Sequence, residues 1–210
     1  KQVLTDVTAE LPAGRIYGLL GSNGVGKTTL MSLICGHQFR TGGHILIDGI
    51  EPVENPMVLQ RTCFVHEDQL YNDSFSVRDI LAVIPAFYPT WSAETADRLV
   101  TRFRLPLDTK SKKLSRGQRS ALAITLSLAS RAAYTFLDEP YLGLDASSRS
   151  ILYDELLAEY AAHPRTFIIS THLIDEVADL MEEVVVLEDG VVAVQTDVDE
   201  ARSACFIVRG

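Results

Sequence analysis

The sequence predicts an α/β fold: a mainly parallel sheet covered by helices, with a small antiparallel β part and an inserted helical subdomain. Three observations carry this. Short apolar runs bounded by glycine or proline alternate with helix-period segments at both ends of the chain. The middle, from Ser76 to about Ala129, has the helical pattern throughout. No internal repeat, low-complexity tract or flexible linker interrupts the 210 residues, which suit one large domain or a core with a subdomain.

Taken in order, "RIYGLLG" (Arg15 to Gly21) is short, apolar and followed by glycines, so it reads as a buried strand. "KTTLMSLICG" reads as a helix ending near Gly36. "GGHILIDG" (Gly42 to Gly49) alternates between glycines and predicts a short strand, suited to an antiparallel sheet. "RTCFVHED" predicts another short strand running into a polar loop. "SVRDILAVI" and "SAETADRLVTRF" each open on a serine, with Ser92 as N-cap of the second. "YTFLDEP" (Tyr134 to Pro140) is a buried strand ended by Pro140, and "SSRSILYDELLAEY" an amphipathic helix. "RTFIIST" (Arg165 to Thr171) is a buried strand followed by the helix "LIDEVADLM". "EVVVLEDGVVAVQT" is a hairpin turning at Asp189-Gly190. The chain divides into a core over residues 1–65 and 131–210, containing the antiparallel part, and a helical subdomain over 66–130.

Hydrophobic residues make up 47% and charged residues 22%, an ordinary globular balance. The formal net charge is −9. Protein affinity for nucleic acid comes mainly from Lys and Arg on phosphates, so no nucleic-acid partner is expected. Cys35, Cys63 and Cys205 stand far apart in mixed apolar contexts. That argues against a disulfide framework and for buried thiols in a reducing cytosol. No Cys or His pair has metal-ligand spacing. The opening "KQVLTDVTAELPAG" is too polar for a secretory signal. No run reaches the ~18 apolar residues of a spanning helix, so the expectation is a protein that sits beside a membrane rather than across it.

The chemistry concentrates in four places. "GSNGVGKT" (Gly21 to Thr28) fits G-x-x-x-x-G-K-[ST] at every defined position and lies between a predicted strand and a predicted helix. Its glycines let backbone N–H groups curl around phosphate oxygens. Lys27 can reach the β- and γ-phosphates, the Thr28 hydroxyl can ligate Mg²⁺, and the following helix points its positive end at the anion. A glycine-rich turn with a chance Lys-Thr is the bland alternative, and the strand–loop–helix context argues against it. Kinases, GTPases and ATPases all use such a loop; the absence of an Asn-Lys-x-Asp guanine reader lowers the GTPase reading.

"YTFLDEP" brings Asp138 and Glu139 to the carboxyl end of a strand, the edge where the phosphate loop also lies. Asp138 can hold Mg²⁺ and Glu139 can polarise an attacking water. Alone, the pair could be a solvated acidic turn. His172 follows "RTFIIST" and emerges at the same edge, where it can hydrogen-bond a γ-phosphate; a lone histidine is otherwise an ordinary loop residue. "KKLSRGQRS" (Lys112 to Ser120) looks like a second anion-binding helix start.

Phosphate loop, "LSRGQ", apolar strand with Asp-Glu, "GLD" and "STH" occur here in one order. In that order the chain resembles the nucleotide-binding domain of ABC transporter ATPases, and small bacterial exporter subunits among them. The resemblance implies a P-loop NTPase (RecA-like) core. It implies that Gly21, Ser22, Asn23, Gly24, Val25, Gly26, Lys27 and Thr28 form the Walker A motif around ATP, with Thr29 after it. Tyr134 to Asp138 match Walker B, Glu139 the catalytic glutamate, Gly143 to Asp145 the D-loop, and His172 the switch histidine. Leu114 to Gln118 match the signature, with Arg116 in place of its first glycine.

By the resemblance, two such domains stack head to tail. Ser115, Gly117, Gln118 and Asp145 then complete the partner's ATP site, and an integral membrane subunit chooses the substrate. The chain is expected at the inner face of the cell membrane, as ATPase with Mg²⁺. Two departures stand out. The Q-loop position holds His66 in "FVHEDQLY", with Gln69 as the alternative stand-in. A neutral His can ligate metal or hydrogen-bond, so His66 joins Thr28 and Asp138 as a metal candidate. Arg116 either faces the shared phosphate or points to solvent. The family's adenine-stacking aromatic falls before residue 1. Two other readings are weaker. A soluble ABC ATPase of chromosomes or ribosomes lacks support from a heptad insertion, a second domain or a basic stripe. A weakly hydrolysing regulator sits poorly with intact Lys27, Asp138, Glu139 and His172.

Overall fold

The computed structural model describes residues 3–66, 69, 71–172 and 179–201. Six strands form one sheet among them: β1 (Ile16–Leu20), β2 (Thr62–Val65), β3 (Tyr134–Asp138), β4 (Thr166–Thr171), β5 (Glu183–Glu188) and β6 (Val191–Asp197). Their order is β2-β3-β4-β1-β5-β6. Every pairing is parallel except the β5–β6 hairpin at the edge, which turns at Asp189-Gly190 with φ of 49° and 80°.

The strands are apolar on both faces because both faces are covered. Along β1, Ile16 and Leu20 join one core cluster while Tyr17 and Leu19 join the other, as the two-residue period requires. The second cluster is closed by Met31 of α1 (Lys27–Ile34) and by Cys35. The first is closed by α5 (Arg116–Ser130), whose residues Ala121 to Ser130 are all buried, and by Leu152 and Leu156 of α6 (Ala146–Ala162). The polar residues inside α5 are not stranded. Thr125, Ser127 and Ser130 return their hydroxyls to the carbonyls of Ala121, Ile124 and Ser127 at 2.8, 2.9 and 2.7 Å.

Between β2 and β3 lie α3 (Val77–Val83), α4 (Ala93–Arg102) and α5. The serine starts read from the sequence hold: Ser76 caps α3 in a box with Asp79, and Ser92 caps α4 by accepting from Thr95 N. A polar seam ties α4 to α6. Glu155 and Glu159, 4% and 3% exposed, accept from Arg98 and Arg102 of α4 at 2.7–2.9 Å. Glu159 also receives Thr95 Oγ1 at 2.8 Å and Arg131 at 3.3 Å, with Arg165 3.7 Å away.

The strand predicted over Gly42 to Gly49 does not form. Its place holds one antiparallel bridge, Ile47 to Ile50, closed by bonds of 2.9 and 3.0 Å. Asp48 and Gly49 both take positive φ (52° and 77°), so turn chemistry outweighs the Ile45–Ile47 alternation, and Leu46 is left 60% exposed with no strand beside it. A short helix, α2 (Pro56–Leu59), follows, with Asn55 as cap and Pro56 at its first position. The helix read from "LIDEVADLM" and the residue Cys205 lie largely or wholly outside the described residues.

Candidate active site at the carboxyl edge of the sheet

Strands β3, β4 and β1 are neighbours in the sheet. Their register sets Asp138 beside Ser170 and Leu20 beside Thr171. The loop after β1, the acidic pair after β3 and His172 after β4 are therefore delivered to one edge by parallel pairing alone. Asn23, Gly24, Gly26, Lys27, Thr28 and Thr29 line a cleft of about 520 Å³ together with His66, Asp138, Glu139 and His172.

The loop curls as its glycines allow. Gly26, just before α1, has φ 119°, and a Cβ there would lie 2.7 Å from Leu4 Cδ2, so a side chain would meet both a strained backbone and the N-terminal segment. Val25 N donates to Ser22 O at 3.3 Å. Lys27 is 6% exposed; its Nζ donates to the carbonyls of Gly21 (2.7 Å) and Ser22 (3.3 Å) and lies 3.6 Å from Glu139 Oε1.

The acidic pair has two different surroundings. Asp138 is 7% exposed; its Oδ2 accepts from Thr28 Oγ1 at 2.5 Å and its Oδ1 from the hydroxyl of Ser170. Glu139 sits at φ 48°, in the left-handed region that a non-glycine residue adopts at a cost. Ser170 Oγ accepts from Glu139 N at 2.9 Å, fixing that turn. The Glu139 carboxylate meets His172 Nδ1 at 2.9 and 3.1 Å and accepts from the Tyr141 hydroxyl. Burial, and then the bond to Glu139, push the Tyr141 hydroxyl well above its ordinary value of 10.0.

Ser170 and Tyr141 were not singled out in the sequence. For Ser170 the available signal was a small polar residue ending an apolar strand beside the acidic one. For Tyr141 it was a large amphipathic residue directly after Asp-Glu-Pro.

Thr28 Oγ1 and Asp138 Oδ2 are two oxygen donors in contact, the chemistry that suits Mg²⁺, which takes few protein ligands and completes its shell with waters and substrate phosphates. No group of three or more His, Cys, Asp or Glu among the described residues could hold a metal alone. His66 lines the phosphate-loop cleft, its ring 5.2 Å from that of Phe64. Gln69 does not line that cleft. It borders a neighbouring cavity of about 20 Å³, which His66, Asp138 and Glu139 also line, and its Oε1 is buried there without a hydrogen-bond partner among the described residues.

Ser115, Gly117, Gln118 and Asp145 are not part of the cleft lining. Ser115 is the exposed N-cap of α5, boxed with Gln118 by bonds of 2.9 and 3.2 Å. Its hydroxyl accepts in the cap and keeps its own hydrogen. Asp145 caps α6 by accepting from Ser148 N at 2.7 Å, and these bonds hold its carboxyl below the usual range. Arg116 is exposed, with its stem close over Gly143: a Cβ on Gly143 would lie 2.8 Å from Arg116 Cγ, and one on Gly117 2.7 Å from Gly143 O.

A parallel sheet carrying a glycine-rich phosphate loop and a strand-end Asp-Glu pair defines a P-loop NTPase. A family profile described as "ABC transporter" matches residues 4–142, and the chain belongs to that family. It is similar to the "ABC transporter ATP-binding protein YtrB" of Bacillus subtilis, 32% identical over 201 residues, covering 96% of this chain and 69% of the relative. It is likewise similar to the "Nod factor export ATP-binding protein I" of Burkholderia lata, 31% identical, covering 90% of this chain and 64% of that one. Among solved structures, an "ATP binding subunit of ABC transporter" superposes with a TM-score of 0.86 at 25% identity, over 99% of this chain and 88% of the other. The chain thus spans about two thirds of the length of these curated relatives. No helix among the described residues is long and apolar enough to cross a membrane.

Proposed function

We propose that this chain is the ATP-binding and ATP-hydrolysing subunit of an ABC membrane transporter, acting at the cytoplasmic face beside an integral membrane subunit. The relatives' names support the transporter role, and the Nod factor export proteins among them favour export. One observation carries the enzymatic reading. Lys27, Thr28, Asp138, Glu139 and His172 converge on one cleft with the phosphate loop, while Ser115, exposed, and Gly117, half-buried, stand outside it.

In this reading the loop's N–H groups and Lys27 bind and orient the triphosphate, with Asn23, Gly24 and Thr29 alongside. Thr28 and Asp138, with His66 as a further candidate, would hold Mg²⁺, which supplies charge neutralisation for the phosphates. Glu139 accepts the proton of the attacking water. His172 donates to the γ-phosphate. Ser115 and Gly117 do not line the cleft of their own chain. In a second copy, the free hydrogen of Ser115 and the first N–H groups of α5, with Gly117, Gln118 and Asp145, would face the γ-phosphate. Two chains therefore stack head to tail around two ATP molecules. Residues 66–130 form the helical subdomain that meets the membrane subunit.

The test is Glu139→Gln. It should abolish ATP turnover, leave ATP binding intact and trap an ATP-dependent dimer on a sizing column. Undiminished turnover removes Glu139 as the base.

A further inference from the structure

Tyr141 is 1% exposed, yet its hydroxyl reaches the two residues on which the proposed hydrolysis turns. Its bonds can be assigned by counting hydrogens. A tyrosine hydroxyl has one hydrogen and two lone pairs, and a carboxylate only accepts. The hydrogen therefore goes to Glu139 Oε2. Thr171 Oγ1, at 2.8 Å, donates to the tyrosine oxygen, and the backbone N–H of His172, at 3.3 Å, takes its second lone pair. His172 Nδ1, at 2.9 Å from Glu139 Oε2, carries its own hydrogen to the carboxylate. Every atom in the cluster then has a consistent role.

Three groups thus face Glu139: Lys27 as an ion pair at 3.6 Å, and His172 and Tyr141 as hydrogen-bond donors. They are not equivalent. Lys27 and His172 line the phosphate cleft, and each has a second employment on the triphosphate. Tyr141 does not line the cleft, and its ring is enclosed in the core. When phosphate draws Lys27 and His172 away, Tyr141 is the donor that stays. The Glu139 backbone is in the left-handed region, a costly conformation that its surroundings must hold.

Resting on the function proposed above, we infer that Tyr141 is a positioning residue for hydrolysis. It pins Glu139 Oε2 and leaves Oε1, the oxygen on the Lys27 side, aimed to take the proton from water. The fixed aim is what the bond contributes to the reaction.

The experiment is steady-state ATPase kinetics with Mg²⁺ and ATP on the full chain, for wild type, Glu139→Gln and Tyr141→Phe. The phenylalanine variant keeps the buried ring. We expect kcat to fall at least fivefold with KM for ATP within twofold. We also expect an ATP-dependent dimer to persist in that variant with Glu139 intact, because slower hydrolysis prolongs it; a merely structural defect would not produce one. A kcat less than fivefold reduced, a raised kcat, or an equal loss of ATP binding overturns the inference. Thr171→Val, which removes the hydroxyl donating to Tyr141, guards against a folding failure of Tyr141→Phe. It should lower kcat about threefold at unchanged KM, and no loss there also overturns the inference. If Glu139→Gln itself retains turnover, the function proposed above has failed; if it is dead while Tyr141→Phe is active, only the role of Tyr141 has.

Discussion

Replacing Glu159 by alanine should loosen the join between the helical block and the sheet. Its side chain is 3% exposed and gathers Thr95, Arg98 and Arg131, with Arg165 at 3.7 Å. Arg165, 5% exposed, has no other carboxylate within ion-pair distance among the described residues and would be left as a buried charge. Breaking such a pair costs about 3–5 kcal/mol when both partners are buried. Arg98 and Arg131 are 38% and 25% exposed and can turn to water, which moves the expected loss to about 3 kcal/mol. For a chain of this size that lowers Tm by about 6–12 °C. The pH dependence has a definite sign. Burial pushes the Glu159 carboxyl up, but bonds from Thr95 and Arg98 and the charge of Arg131 outweigh it and hold it below its ordinary 4.5. A depressed carboxyl contributes stability above its unfolded value and loses it as pH falls through the folded one. Calorimetric melts should therefore show wild type losing Tm between about pH 5 and 3 more steeply than Glu159→Gln. A Glu159→Ala protein melting within 2 °C of wild type at neutral pH would refute the reasoning.

Two further outcomes follow from packing. Gly143→Ala forces a side chain at φ 81° against the stem of Arg116 and should cost about 1–2 kcal/mol; the loss should persist in Gly143→Ala with Arg116→Ala, and recovery there would make the clash rather than the backbone its cause. Cys35 and Cys63 are 1% and 5% exposed, and burial pushes both thiols up. A thiol reagent at pH 8 should therefore modify at most one cysteine in native protein and all three after denaturation, and two or more native labels would contradict the packing.

The edge that carries the candidate site was legible because parallel pairing converts strand ends into neighbours. "GLLGSNGVGKT", "TFLDEP" and "IISTH" needed only to be recognised as strands for Lys27, Glu139 and His172 to fall together. Capping serines were legible for a related reason: Ser76, Ser92 and Ser115 act through residues three positions away. What failed was local evidence read without its partner. Ile45 and Ile47 alternate like a strand, but a strand needs a neighbour, and Asp48-Gly49 closed a turn first. The helix α2 was missed although Asn55 and Pro56 announce it. Ser170 and Tyr141 act across the sheet or across a turn, through contacts that no spacing rule encodes. His66 and Gln69 share one cavity, and His66 alone of the two also lines the phosphate-loop cleft, a difference that their three-residue spacing does not encode.

The signature stretch, which lines no part of its own chain's cleft, is nevertheless joined to that cleft by backbone. Ser120 Oγ donates to Leu142 O at 2.7 Å, and a Cβ on Gly117 would lie 2.7 Å from Gly143 O. Leu142 N in turn donates to Glu139 O at 3.0 Å, and Leu144 N to Tyr141 O at 3.1 Å. The first turns of α5 and the segment from Glu139 to Leu144 thus form one hydrogen-bonded unit. A phosphate drawn to Ser115 from a second copy would pull on the same unit that aims Glu139 at the phosphate in its own cleft. In the head-to-tail arrangement proposed here, the two nucleotides are then linked through a few short bonds in each chain. Arg116, whose stem covers Gly143, lies on that link, which gives its departure from glycine a physical consequence whether or not its guanidinium meets phosphate.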